Sequence, residues 1–328
     1  MLDSISHWQR IPWVLVLCTA ALLGIGLSAI QRGDEVSGLG EYFGRQMLWI
    51  AIAVPVLIAT ASLNYRILAR HSLWLFLLAI VFLVVVFAFR PINGARRWIP
   101  LGFFNFQPSE MAKLTFILAL AAHLRFQRNY RTLSGLIAPF AMSLVPMGLI
   151  LKEPNLGTSL LFLPILFAML FAAGARLRHL VSVVAVGIAV LPVVWMGMSA
   201  EQQSRVTALF LQRDGGPTPQ GDSYHLHQSK QVLALGGVWG SQIAGQLVDD
   251  PAAYHLPESR TDFVFCMVGE RWGLAGCLTT LALYVMLFAR GLMIAGSTRE
   301  PFGRLVAVGV VTLLATQTIV NTAMTVGL

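Results

Sequence analysis

The chain has 328 residues, 56% of them hydrophobic and only 12% charged, with a formal net charge of +8 and a mean hydropathy of +0.72. Soluble domains carry about 25% charged residues, so this composition excludes one and predicts many membrane spans with one polar segment. No long basic run accompanies the positive balance, which argues against nucleic acid and assigns the arginines to membrane flanks.

Residues 11–30 are long enough to cross a bilayer, which takes about 20 apolar residues. They exceed the apolar region of a signal peptide, about 7–15 residues. Further spans are predicted at 47–63, 72–89, 109–125, 134–151, 156–174, 179–199, 262–289 and 304–328, nine in all. The expected class is all-α and integral to the membrane. It is one polytopic helical bundle over 1–328, with residues 200–261 as a single large extracytoplasmic loop. Cys18, Cys266 and Cys277 lie in apolar segments without metal-ligand spacing and read as packing residues. With the N-terminus in the cytoplasm, eleven arginines fall in short inner segments. Six cations, Arg32, Arg45, Arg90, Arg96, Arg97 and Lys152, fall in short outer loops. That is a positive-inside bias.

The loop before span four runs from Arg90 through Asn93-Gly94, a tight-turn signal, to Gln107-Pro-Ser-Glu110. Trp98, Phe103, Phe104 and Phe106 suit the interfacial aromatic belt. Pro108 fits a first helical position, and Glu110 lies near the positively polarised helix start. Lys113, three residues on, shares the face of Glu110. Two readings stay open: a local Glu110–Lys113 pair packed against a neighbouring helix, or Lys113 with Arg96 or Arg97 meeting an anionic ligand at the outer leaflet. Lys152-Glu-Pro-Asn-Leu-Gly-Thr158 is a turn that Pro154 and Gly157 explain by themselves. Its acid, Glu153, is nonetheless expected on the same membrane side as Glu110 and Asp262.

Residues 213–222 are turn-rich. Tyr224 to Leu235 predicts a short amphipathic helix lying on the surface. Gly236-Gly-Val-Trp-Gly240 ends it, with glycines that permit left-handed backbone or close approach of a ligand. His225 and His227 are two apart, a spacing that suits metal ligands on a strand rather than a helix.

The polar approach His255-Leu-Pro-Glu-Ser-Arg260 then enters span eight. Asp262 stands at its mouth and Glu270 well inside, and an intramembrane carboxylate marks a functional site by default. At helical spacing Asp262, Cys266, Gly269, Glu270, Gly273, Gly276 and Cys277 share one face, with Arg271 opposite Asp262. Asp262 and Glu270 are roughly 12 Å apart along the axis, too far to share a proton. Asp262 is expected at an aqueous edge, with Glu270 holding something deeper. A helix packed through its small residues, capped by Thr261 or Asp262, is the plainer alternative.

Several blocks resemble the SEDS family (shape, elongation, division and sporulation), in its RodA/FtsW group of peptidoglycan glycosyltransferases. They are Gly94-Ala-Arg-Arg-Trp98, Phe106-Gln-Pro-Ser-Glu-Met-Ala-Lys113, Glu153-Pro-Asn-Leu-Gly-Thr158, Tyr224 with Gln228-Ser-Lys230, Gly236-Gly237 with Gly240, and Leu256-Pro-Glu-Ser-Arg-Thr-Asp-Phe263 with Gly269-Glu270. The resemblance implies a ten-helix membrane fold that polymerises lipid II, the disaccharide-pentapeptide carried on undecaprenyl pyrophosphate. It implies a class B penicillin-binding protein (a transpeptidase) as partner, support by a divalent cation (Mg or Mn), and the bacterial inner membrane as location. The catalytic aspartate falls on Asp262. The substrate-binding candidates are Lys113, Glu110, Arg96, Arg97, Lys230, Glu258 and Glu270; a metal site stays unassigned.

The chain departs from the family pattern in four places. Gln-Pro-Asp becomes Glu153-Pro-Asn155, which moves the carboxylate by two positions. Paired glutamates become Glu270 and Arg271, and a usual glycine becomes Gln242. The ninth span ends at Leu328 without a polar flank, so the sequence is expected to be incomplete or a degenerate relative. Two other functions stay open. A lipid II flippase would place charges along a path through the membrane. A non-catalytic scaffold would only hold the transpeptidase.

Overall fold

The computed structural model describes residues 12–37, 42–91, 95–102, 104–126, 132–153, 155–198, 200, 203, 207, 222–241 and 262–327. Its helices are α1 (Trp13–Ser37), α2 (Tyr42–Ser62), α3 (Tyr65–Val85), α4 (Pro108–Phe126), α5 (Leu133–Lys152), α6 (Leu156–Leu160) and α7 (Phe162–Ala173). They continue as α8 (Leu177–Gly197), α9 (Asp222–Leu235), α10 (Val264–Ser297) and α11 (Pro301–Val326). Each expected span falls on helix. Among the described residues, seven stretches are long and apolar enough to cross a membrane: Trp13–Glu35, Tyr42–Ser62, Tyr65–Ala88, Leu133–Lys152, Leu156–Ala173, Val264–Ser297 and Pro301–Val326. The chain is a polytopic helical membrane protein.

The chain divides into two compact units. One comprises Met1–Ser62, Ser204–Gly291 and Thr318–Leu328, and the other Leu63–Gln203 and Leu292–Gln317. In the second unit α4 is the central helix. It buries Ala112, Lys113, Phe116, Ile117, Leu120 and Ala121, so it need not present a lipid-compatible surface and tolerates Glu110, Lys113 and Arg125. Phe116 stacks at a tilt between Phe162, 5.2 Å away by ring centroid, and Phe76, at 6.4 Å. Packing of this kind, rather than hydrophobic driving force, holds helices together in lipid. In the first unit Val232 of α9 joins Ala29, Phe263, Cys266, Met267 and Val268 in a smaller core. Helix α2, by contrast, buries none of its residues.

Three local features differ from the expectation. Helix α1 continues to Ser37 and carries Arg32 within it, where an outer loop was expected. The extension is held by Asp34, which is buried and accepts from the Phe43 N–H at the start of α2, 2.8 Å. A two-stranded antiparallel hairpin, β1 (Ile99–Pro100) with β2 (Asn105–Phe106), precedes α4. The Phe82 ring meets Phe106 edge-on at 5.6 Å and pins that hairpin to α3. The expected span 156–174 stands as one apolar stretch, Leu156–Ala173, because Leu161 between α6 and α7 keeps helical backbone angles, φ −63° and ψ −24°. The surface helix over Tyr224–Leu235 forms as α9, but it does not simply lie on a surface. Gln228, Ser229 and Val232 are buried, and the Ser229 hydroxyl donates to the Thr325 carbonyl, 2.9 Å.

Candidate functional site

Asp262 is exposed at the head of α10. Of the positions expected to share its face, Cys266, Gly269, Glu270, Gly273 and Cys277 are buried and Gly276 is half-buried. Met267 and Val268 are buried as well, so α10 is enclosed on more than one face here. Glu270 is fully buried, and its partner is Arg32. Arg32 Nη2 donates to Oε1 at 3.0 Å and Nε to Oε2 at 3.2 Å, a forked charge-assisted pair. What Glu270 holds is therefore a guanidinium. The next residue ties α10 to α1 again, with Arg271 Nη1 donating to the Ser28 carbonyl at 2.7 Å. Sequence reasoning missed Arg32 because it ended the first span at residue 30.

The turn after α9 lies against α10. A Cβ on Gly236 would collide with the backbone of Gly269 and Glu270, and one on Gly240 with that of Arg271 and Trp272. Gly273 interrupts α10 with φ 63° and ψ −157°, and the Leu274 N–H released there donates to the Gly237 carbonyl, 3.0 Å. The close approach that these glycines permit is to a helix backbone. Lys230, on α9, is half-buried. His227 pairs with Gln231 at 3.0 Å. The side chain of His225 lies outside the described residues, so the His225–His227 pair is not described.

In the second unit Pro108 opens α4 and Glu110 sits in its first turn. Lys113 is 2% exposed, and its Nζ lies 2.9 Å from Glu110 Oε2, on a side chain 55% exposed. The local pair is thus present, with one partner at a wet edge. Arg96, exposed, donates from Nη1 to the Phe87 carbonyl at 3.2 Å. Arg97, half-buried, donates from Nε to the Glu153 carbonyl at 2.9 Å.

Glu153, read from the sequence as part of a plain connector, is fully buried, and neither carboxylate oxygen has a hydrogen-bond partner. Burial pushes its pKa up to about 8, against the opposing pull of the Arg97 charge. The acid of the family motif stands two positions on; here Asn155 caps α6, its Oδ1 accepting from the Thr158 N–H at 3.2 Å. An acid closing an apolar span was the signal that could have singled Glu153 out. Asn93-Gly94, Phe103, Gln242 and Glu258 lie outside the described residues. Among those described, no three His, Cys, Asp or Glu side chains come together as a metal cage.

Apolar helices able to cross a membrane, with acids and cations set at helix ends, define a multi-pass membrane protein with a polar site. Residues 9–328 match the FtsW, RodA and SpoVE family of cell cycle proteins, and the chain belongs to that family. It is 30% identical to the "Peptidoglycan glycosyltransferase MrdB" of Escherichia coli, over 98% of this chain and 86% of that protein. It is 29% identical to the "Probable peptidoglycan glycosyltransferase FtsW" of Trichlorobacter lovleyi, over 96% of this chain and 84% of that one. A solved chain from a study titled "Structural coordination of polymerization and crosslinking by a peptidoglycan synthase complex" superposes with a TM-score of 0.82 at 28% identity. That match covers 98% of this chain and 89% of the other.

Proposed function

We infer that this chain is a peptidoglycan glycosyltransferase of cell-wall synthesis, serving cell shape or division. The observation that carries the reading is the identity of 30% and 29%, over nearly the whole chain, to two relatives named as peptidoglycan glycosyltransferases. Its substrate is lipid II, and it sits in the bacterial inner membrane with the N-terminus in the cytoplasm. Nine spans of a ten-helix fold fall within these residues, and 200–261 form the extracytoplasmic loop.

Asp262 is the general base. Its exposure at the head of α10 supports the assignment, since a base must reach the hydroxyl it deprotonates. It takes the proton from the 4-hydroxyl of the acceptor sugar, whose oxygen attacks the anomeric carbon of the donor. The bond from that carbon to phosphate breaks, and undecaprenyl pyrophosphate leaves with inversion. Lys113, with Arg96 or Arg97, offsets the charge on the leaving group, as fixed cations do where negative charge develops. Glu110, Lys230 and Glu258 are the further substrate-binding candidates, and Glu270 acts through Arg32.

A divalent cation, Mg or Mn, would add further neutralisation of the pyrophosphate. Magnesium is commonly held by one or two carboxylates together with substrate phosphates, so a three-acid cage is not required. A class B penicillin-binding protein is the partner that cross-links the product.

Purified protein, alone and with a co-expressed transpeptidase, should convert lipid II into glycan strands. Binding without strands would instead leave the flippase and the scaffold as the competing roles.

A further inference from the structure

Glu153 is a buried acid that the proposed chemistry does not use. It caps the end of α5 at full burial with both carboxylate oxygens unpartnered, while Arg97 is fastened to its backbone carbonyl at 2.9 Å. A charged carboxylate so placed is costly, whereas a protonated one is tolerable. The Glu153 pKa, raised to about 8 by burial, means that the proton is held at neutral pH and lost just above it.

The other charged groups on the elements around this turn are few. Lys152 is exposed beside it on α5, and Glu110 and Lys113 pair with each other on α4. Helix α3 has its charges in its first two turns, at Arg66, Arg70 and His71, and α6 and α7 have none. Arg97 is the charge that acts on the Glu153 carboxyl.

We propose that Glu153 is a positioning residue that works in its protonated form. As a neutral acid it holds Arg97 through its backbone carbonyl without cancelling the guanidinium charge, and Arg97 then meets an anionic phosphate-bearing ligand. Once ionised, Glu153 competes with that ligand for Arg97. This role rests on the reading of the substrate as a pyrophosphate-linked lipid, and the test separates the two.

Glu153→Gln fixes the neutral shape permanently, so the comparison is between the full-length protein and that variant as pH rises. Inorganic pyrophosphate is the binding probe, followed by calorimetry in detergent micelles. Its own titration is common to both proteins and cancels in the ratio of affinities. At about pH 6.5 the two should bind equally. At about pH 9, a unit above the Glu153 pKa, only about a tenth of the parent keeps the proton, so the variant should bind about tenfold more tightly. Polymerisation of lipid II should show the same alkaline loss in the parent and its absence in the variant. A flat affinity ratio across the pH range, or a variant weakened at neutral pH, overturns the proposal. A rising ratio in proteins that make no glycan at any pH sinks the glycosyltransferase reading and leaves the role of Glu153 standing.

Discussion

Arg32 and Glu270 are 238 residues apart in the chain and meet in a forked pair, at 3.0 and 3.2 Å, with the carboxylate fully buried. The pair ties the first helix to the helix that carries Asp262. Removing one partner strands the other charge, which costs about 3–5 kcal/mol when the site is buried. Glu270→Leu and Arg32→Met should each lower thermal stability in detergent sharply. The double variant should recover most of the loss, because no buried charge is left alone. If the losses of the two single variants simply add, the pair is not a coupled unit.

The glycine turn makes a sharper steric prediction. Gly273→Ala strains the backbone at φ 63° and drives a Cβ into Val238 and Gly240, and Gly236→Ala strikes the backbone of Gly269 and Glu270. Both should destabilise by several kcal/mol, since overlap with main chain cannot be relieved by a rotamer change. Gly24→Ala, with nothing within 4 Å, is the control and should change little. Equal melting temperatures for all three would show that the turn does not press on α10.

Much of this arrangement was legible in the sequence. Apolar length found the helices, and 100° spacing put Cys266, Gly269, Glu270, Gly273 and Cys277 among the buried positions, although it did not foresee that Met267 and Val268 are buried too. Pro108 and Glu110 marked the start of α4. What escaped were long-range partners. A carboxylate in an apolar run announces that it needs a partner, but Arg32 lies on another helix, and no local pattern pairs residues across that distance. The GGVWG turn was read as glycines for left-handed backbone or for close approach of a ligand. Gly237 and Gly240 are left-handed, at φ 53° and 79°, but spacing cannot say that what a bare backbone approaches is another helix. Glu153 escaped for a related reason. A turn rich in proline and glycine explains itself, so the burial of its acid shows only in three dimensions.

Burial of Glu153 also predicts a pH dependence of folding. Its carboxyl titrates near 4.5 when unfolded and near about 8 when folded. Between those values the folded state binds more protons, so this group's contribution to stability falls as pH rises, and it levels off above the folded value. Glu153→Gln removes the penalty. The variant should match the parent near about pH 4.5 and become more stable by a few kcal/mol towards about pH 8. Melting curves that run parallel across the range would place the Glu153 carboxyl in water.

The proposed orientation is open to labelling. Single cysteines placed at Asp222 and at Arg128, in a version lacking the three native thiols, should react with an impermeant maleimide from opposite sides. The one at 222 is expected to label in intact spheroplasts, and the one at 128 only after lysis. The reverse order would invert the membrane and place Asp262 in the cytoplasm, away from any outer-leaflet chemistry.

Asp262 carries the heaviest expectation. It is exposed where the polar segment meets α10, and the buried Glu270 behind it is already committed to Arg32. Under the proposed mechanism the two carboxylates have separate work, Asp262 on the acceptor hydroxyl and Glu270 on the position of the helix. Asp262→Asn keeps the size and polarity of the side chain but removes the base, and general-base catalysis is worth about 10²–10⁴-fold. Insertion and melting temperature should survive, while lipid II polymerisation falls by about a hundredfold or more, chiefly in turnover rather than in substrate affinity. Glu270→Gln should behave in the opposite way, losing stability first and activity with it. Glu258→Gln should cost far less than Asp262→Asn, since it leaves the proposed base in place. Near-normal polymerisation by the Asp262→Asn protein, measured with its transpeptidase present, would reduce Asp262 to a helix cap and move the search for the base elsewhere.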